Sequence, residues 1–167
     1  MSQFFGKYRG KVANNIDPQL MGRIQVSVPA VLGDGSLSWA MPCVPLAGPQ
    51  MGVFVVPTVG SNVWVEFEAG DPDYPIWAGG FWGLGETPAL ALTGLPNSPS
   101  IVLQTSGMNS ISISDVPGPT GGIMLKSASG ATIMVNDIGI TILNGTGAAV
   151  TLTGPTTDIN SGALSIT

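Results

Sequence analysis

Every aromatic side chain of this 167-residue chain (five Phe, four Trp and two Tyr) lies at or before Trp82. Aromatic side chains bring the largest buried areas to a core, so the two halves cannot bury themselves by the same means. Charged residues make up 9% of the chain and hydrophobic residues 44%, which does not fit a solvated, disordered second half. With 24 Gly and 14 Pro punctuating it, the chain is expected to form short strands and turns, not long amphipathic helices. This composition suits strands that are covered by other copies of the same chain.

The clearest strand pair ends at that boundary. Val63, Val65 and Phe67 alternate with Trp64, Glu66 and Glu68, the period of a strand with one dry and one wetter face. Val59-Gly60-Ser61-Asn62 before it is a tight turn. After it comes Ala69-Gly70-Asp71-Pro72-Asp73-Tyr74-Pro75, where Gly70 can take a positive φ and the prolines oppose strand pairing. The return, Ile76 to Trp82, completes a hairpin able to close a small barrel. Upstream, Phe5 to Asn14 reads as a strand with Lys7, Arg9 and Lys11 on one face and Tyr8, Gly10 and Val12 on the other. Arg23 to Val28 follows with Ile24, Val26 and Val28 inward, then a loop over Pro29 to Ser38, then short strands at Trp39 to Leu46 and Val53 to Pro57. The count suits a five-stranded Greek-key barrel of the OB type.

Beyond Trp82 the pattern changes. Gly83 to Ser100, with Pro88, Pro96 and Pro99, reads as an extended connector. From there aliphatic pairs recur roughly every ten residues, with Gly, Asn, Asp, Ser or Thr between them, as in β-solenoids. The pairs are Ile101/Leu103, Ile111/Ile113, Ile123/Leu125, Ile133/Val135, Ile140/Ile142, Val150/Leu152 and Leu164/Ile166, with Ile159 alone before the last. Two small aliphatics per repeat cover too little area for one chain to bury them. Three chains wound together can, placing Ile111, Ile113, Ile123, Leu125, Ile133, Val135, Ile140, Ile142, Val150 and Leu152 on the axis and Ser/Thr outward. Strand segments stacked at ~4.8 Å give a rod of roughly 35–40 Å. The expected organisation is all-β: a barrel over 1–83, a connector over 84–100 and a trimeric rod over 101–167.

The motifs of the first half occur in a telling order: Gly22-Arg23-Ile24-Gln25-Val26, Trp39-Ala40-Met41-Pro42, Ala47-Gly48 and Gly52-Val53-Phe54-Val55-Val56-Pro57. The strand ending at Phe67, Gly-Asp-Pro-Asp-x-Pro at 70–75 and Gly79-Gly80-Phe81-Trp82 complete the series. Together, over roughly residues 6–83, they resemble the barrel domain of contractile-tail spikes. That family includes phage baseplate assembly protein V, the phage cell-puncturing spike and the valine-glycine repeat protein of type VI secretion. The resemblance implies a triple-stranded β-helix after the barrel, a homotrimer, and a structural role as the central spike of a contractile injection machine. It also implies a separate hub protein at the N-terminal end and transient contact with the target membrane. Short relatives end in a tip where paired His residues bind iron; this chain has no His and reaches Thr167 still in the rod pattern. A separate tip of the proline-alanine-alanine-arginine type is therefore expected on Leu164 and Ile166. The competing function is a trimeric tail adhesin, though the second half offers no aromatic residue to stack on a sugar.

Other chemistries find little support. The absence of His excludes Ser/His/Asp and Cys/His catalysis, and one Cys without His leaves no zinc set. No enzyme activity and no cofactor are expected. Glu66, Glu68, Asp71 and Asp73 form the one acidic cluster, read as a strand face and a turn cap rather than a calcium loop. Cys43, in an apolar setting, is expected to be buried and inert. Lys7, Arg9 and Lys11 are candidates for contact with an acidic hub; a solvated face or a single-strand nucleic-acid site are the alternatives. A net charge of −5 argues against a nucleic-acid partner. The N-terminus has no long apolar stretch, so synthesis in the cytoplasm without a signal peptide, then assembly into a baseplate, is expected.

Overall fold

The computed structural model describes residues 2–166 and forms two compact units, residues 1–86 and 87–167. Met1 and Thr167, where the expected blunt end lies, are outside the described residues.

Unit 1 is built from strands β1 (Tyr8–Asn14), β2 (Ile24–Ser27), β3 (Leu37–Pro42), β4 (Ala47–Gly48), β5 (Met51–Gly52), β6 (Asn62–Phe67) and β7 (Pro75–Gly80). Five of them close a barrel in the order β1-β2-β3-β7-β6, with β3 and β7 parallel and the remaining pairs antiparallel. The alternation read from the sequence is the cause. Ile24, Val26, Val28, Val63 and Val65 are fully buried, and Val12, Phe67 and Trp77 nearly so. β-Branched side chains suit such a pleated inner surface, and closure leaves the barrel without an open edge.

Three local features differ from expectation. One helical turn, α1 (Pro29–Leu32), stands at the start of the expected 29–38 loop, with Pro at its first position where the missing N–H costs nothing. Val53 to Pro57 is not a strand. The barrel closes without it, and its backbone tie is Val53 N–H donating to Leu46 O at 2.9 Å. Pro75, expected to oppose pairing, opens β7 opposite Phe67, a first-in-strand place where a proline removes no ladder bond that matters.

Unit 2 begins with a 3-10 turn at Ala89–Leu92 and then carries eight strands: β8 (Ile101–Gln104), β9 (Ser110–Ser114), β10 (Gly122–Lys126), β11 (Thr132–Asn136), β12 (Gly139–Leu143), β13 (Ala149–Thr153), β14 (Thr156–Ile159) and β15 (Leu164–Ile166). Each aliphatic pair of the sequence lies in its own strand. They form one antiparallel meander from β8 to β15, every strand pairing with its sequence neighbours. The strands of one chain thus pair only with their neighbours in sequence. Loop side chains tie successive turns together: Asn109 Oδ1 accepts from Ala128 N–H, Asp137 Oδ2 from Gly118 N–H and Asn160 Oδ1 from Ala149 N–H, at 2.9–3.1 Å.

Candidate functional site

The three cations, Lys7 just before β1 and Arg9 and Lys11 within it, have different surroundings. Lys7 Nζ pairs with Glu66 Oε1 of β6 at 2.6 Å, both side chains about half exposed. Arg9 lies over Trp64 and Phe81, with its guanidinium 5.3 and 4.9 Å from the ring centres. Lys11 is exposed and has no salt-bridge partner among the described residues. Tyr8 turns the other way, into an aromatic group with Phe4 and Phe67. Strand alternation separates Tyr8 from the cations, while the cross-strand neighbours on β6 supply Glu66 and Trp64.

Sequence reading missed the most constrained charge in the barrel. Asp17 is buried in the β1–β2 loop and accepts from Gln19, Met21 and Arg23 backbone N–H groups and from both Nε and Nη2 of Arg23. The Arg23 guanidinium and the three N–H groups hold its carboxyl well below the usual carboxylate range, against the opposing effect of burial. Arg23 in turn lies 5.2 Å from the Trp39 ring centre. An Asp followed by Pro and, six residues on, by Arg was the available signal, but both ends sit in a loop whose closure no periodicity reports.

The expected acidic cluster does not converge. Glu66 is engaged by Lys7, and Asp71 Oδ1 caps its turn by accepting from Asp73 N–H at 3.0 Å. Among the described residues, no three His, Cys, Asp or Glu side chains come together to hold a metal ion. Cys43 is exposed, contrary to the buried setting expected of it. Its backbone N–H bonds to Trp77 O, which pins the main chain against β7 and leaves the side chain outside.

The most extensive feature is the aliphatic face of unit 2. In the strand register Ile111 lies between Leu103 and Leu125, and Ile113 between Ile101 and Ile123. Ile133 lies between Leu125 and Ile142, and Val135 between Ile123 and Ile140. Val150 and Leu152 continue from Ile142 and Ile140, and Ile159 leads from Val150 to Leu164. The result is two columns of aliphatic side chains down one face, interrupted by Thr157 between Leu152 and Ile166. Most of these side chains are exposed in the single chain; Ile133 is at 43% and Ile166 at 58%. The opposite face carries Ser112, Thr141, Thr151 and Asp158, with Met124 and Met134 between them. Ser110 and Ser112 there are buried, contrary to the expectation that Ser and Thr face water; the 3-10 turn at Ala89–Leu92 packs on β8, the neighbouring strand. An apolar ladder of this extent left in water marks an interaction surface.

Residues 8–82 match the model of the type VI secretion system/phage-baseplate injector OB domain. Residues 100–165 match that of the phage baseplate V C-terminal trimerisation domain. No curated protein matches the chain. The first match ends at the last aromatic residue; the second takes in the aliphatic ladder from β8 onward. Both families are structural parts of a baseplate, and the second accounts for a face that one chain cannot cover. With an injector-type barrel and a trimerisation sheet on the same polypeptide, the protein belongs to the baseplate spike family and assembles with two further copies of itself.

Proposed function

We propose that the protein is the central spike of a contractile injection machine, and that its work is mechanical. The observation that carries this reading is the exposed aliphatic ladder on a meander in which every strand pairs with its sequence neighbours. Three such faces turned to a common axis bury what one chain leaves in water. Each aliphatic then gains on the order of 1 kcal/mol from the part of its surface newly covered. Ile111, Ile113, Ile123, Leu125, Ile133, Val135, Ile140, Ile142, Val150 and Leu152 form the axis of that rod. A rod with paired inner strands and a dry axis transmits the force of a contracting sheath to the target envelope, with edges only at its first and last strands. Catalysis has no part in it.

Each unit suits a different partner. Lys7, Arg9 and Lys11 face an acidic hub protein; Lys11 has no salt-bridge partner among the described residues, and the exposed Lys7–Glu66 pair is cheap to exchange. In unit 2, β15 is the last strand of the sheet, unpaired on its outer side among the described residues, with Leu164 and Ile166 exposed. A separate tip protein docks there through apolar and backbone contacts.

The test is Ile133→Asp in the full chain, with light scattering. The native protein gives about three times 17.0 kDa. The variant places three carboxylates on the axis, each costing several kcal/mol to desolvate, and stays monomeric. A native monomer, or a variant trimer with unchanged melting, defeats the reading. In purified particles, deletion of residues 160–167 releases the tip; full tip occupancy after the deletion removes that part.

A further inference from the structure

Leu20 breaks two local rules at once. Its side chain is 87% exposed, and its backbone sits at φ 57, where Asn and Gly are the residues at ease. Among the described residues, little of the leucine is buried. Beside it, an arm over residues 43–57 leaves the barrel: its β4–β5 hairpin forms a separate two-stranded sheet. The arm exposes Leu46, Met51, Val53, Val55 and Phe54, the last at 74%. It is held to the β1–β2 loop at two points. Asn15 Nδ2 donates to Pro57 O at 3.1 Å, and the Phe54 ring lies against Gly22, where a Cβ would come within 3.1 Å of it. Asn15 and Gly22, the loop residues that touch the arm, flank the exposed Ile16 and Leu20 in sequence.

The arm and the loop it touches are also without free charge. No charged residue occurs between Asp34 and Glu66, and the Asp17 of the neighbouring loop is consumed by Arg23. A hub that meets the cations of β1 is acidic, and this patch has nothing to offer it. Nor has it a cation for lipid phosphate. What fits is an equally apolar surface, and the same chain supplies one at high local concentration, because the trimerisation sheet tethers three barrels together.

We propose that this patch joins the three barrels of one trimer: the arm of each, led by Phe54, seats on Leu20 and Ile16 of the next, a head-to-tail contact that closes around the threefold axis. The inference rests on the trimeric reading of the rod. The strained Leu20 is kept because its side chain is covered only in the assembled ring.

Hydrogen exchange of the arm in the full-length protein tests it, comparing the native trimer, the Ile133→Asp monomer and Leu20→Asn. Asparagine is favoured at positive φ, so this variant relieves the backbone and folds. Amides of residues 43–57 exchange several-fold more slowly in the native trimer than in the monomer. In Leu20→Asn they return to the monomer rate, while the three-chain mass and the protection of residues 101–166 are unchanged. An arm that exchanges equally fast in native trimer and monomer overturns the contact while leaving the trimeric rod intact. So does a Leu20→Asn trimer with an arm still protected, and so does protection that arises only in assembled particles, which gives the surface to the hub. A native protein that is monomeric defeats the rod and this contact together.

Discussion

Asp17 gathers five donors on one carboxylate, so its contribution to stability depends on its charge. Its folded-state pKa lies below that of the unfolded chain, where an aspartate titrates near ~3.9. A lowered folded value means the stabilisation is whole above the unfolded value and is lost as pH falls through the folded one. Asp17→Asn keeps the shape but removes the charge and one acceptor oxygen, which leaves Arg23 without its counter-ion. The variant barrel is less stable than the native one at pH 7, with a lower urea midpoint followed by tryptophan fluorescence. The gap narrows as the pH is taken from about 4 towards 2. A gap that stays constant over that range shows that the carboxylate charge contributes nothing. Trp39, near Arg23, is a natural reporter. Asp17 escaped sequence reading because its value comes from a loop folded back on itself. Cys43 escaped because an apolar neighbourhood in sequence says nothing about which way the side chain leaves the main chain.

Legibility was greatest where side chains repeat. The aliphatic pairs from Ile101 to Ile166 predict each strand of unit 2, because a period of two puts both members on one face wherever the turns fall. Barrel strands with strict alternation, such as Val63 to Phe67, were equally plain. Val53 to Val56 failed as a strand for the opposite reason: four apolar residues in a row carry no face, and the barrel had no place left for them. Glycines set the crossings between strands. At Gly139, which opens β12 at φ 152, an added Cβ would stand 1.9 Å from Leu152 O, so β12 and β13 could not keep their register. At Gly154, between β13 and β14 at φ 55, an added Cβ meets open space. Gly139→Ala therefore costs about 3 kcal/mol or more, through a displaced strand as well as strain, whereas Gly154→Ala costs about 1 kcal/mol of strain alone. Melting of the two variants orders them. Equal losses place the whole effect in the backbone angle and none in the strand crossing.

The two units of the molecule are stabilised in different ways, and the aromatic boundary at Trp82 is where one gives way to the other. Buried hydrophobic residues of the core run from Val12 to Trp77, all in the barrel. Unit 2 has, among its described residues, none in that core, and depends on other copies for what its aliphatic face lacks. A closed barrel with its own core needs no partner to fold, but a meander with one bare apolar face does. Residues 1–86 made alone should therefore be a folded monomer, with native tryptophan emission and cooperative melting that does not vary with protein concentration. The tethered contact through Leu20 and Phe54 is too weak to hold separate barrels at micromolar concentration once its millimolar local supply is gone. Residues 87–167 made alone should still be trimeric by light scattering, and their melting should rise with concentration, as mass action requires of a fold that exists only as an oligomer. A molten 1–86 fragment would mean that the barrel borrows its order from the rod. A folded, monomeric 87–167 fragment would mean that the ladder is tolerated in water, and the mechanical reading of the molecule would fall with it.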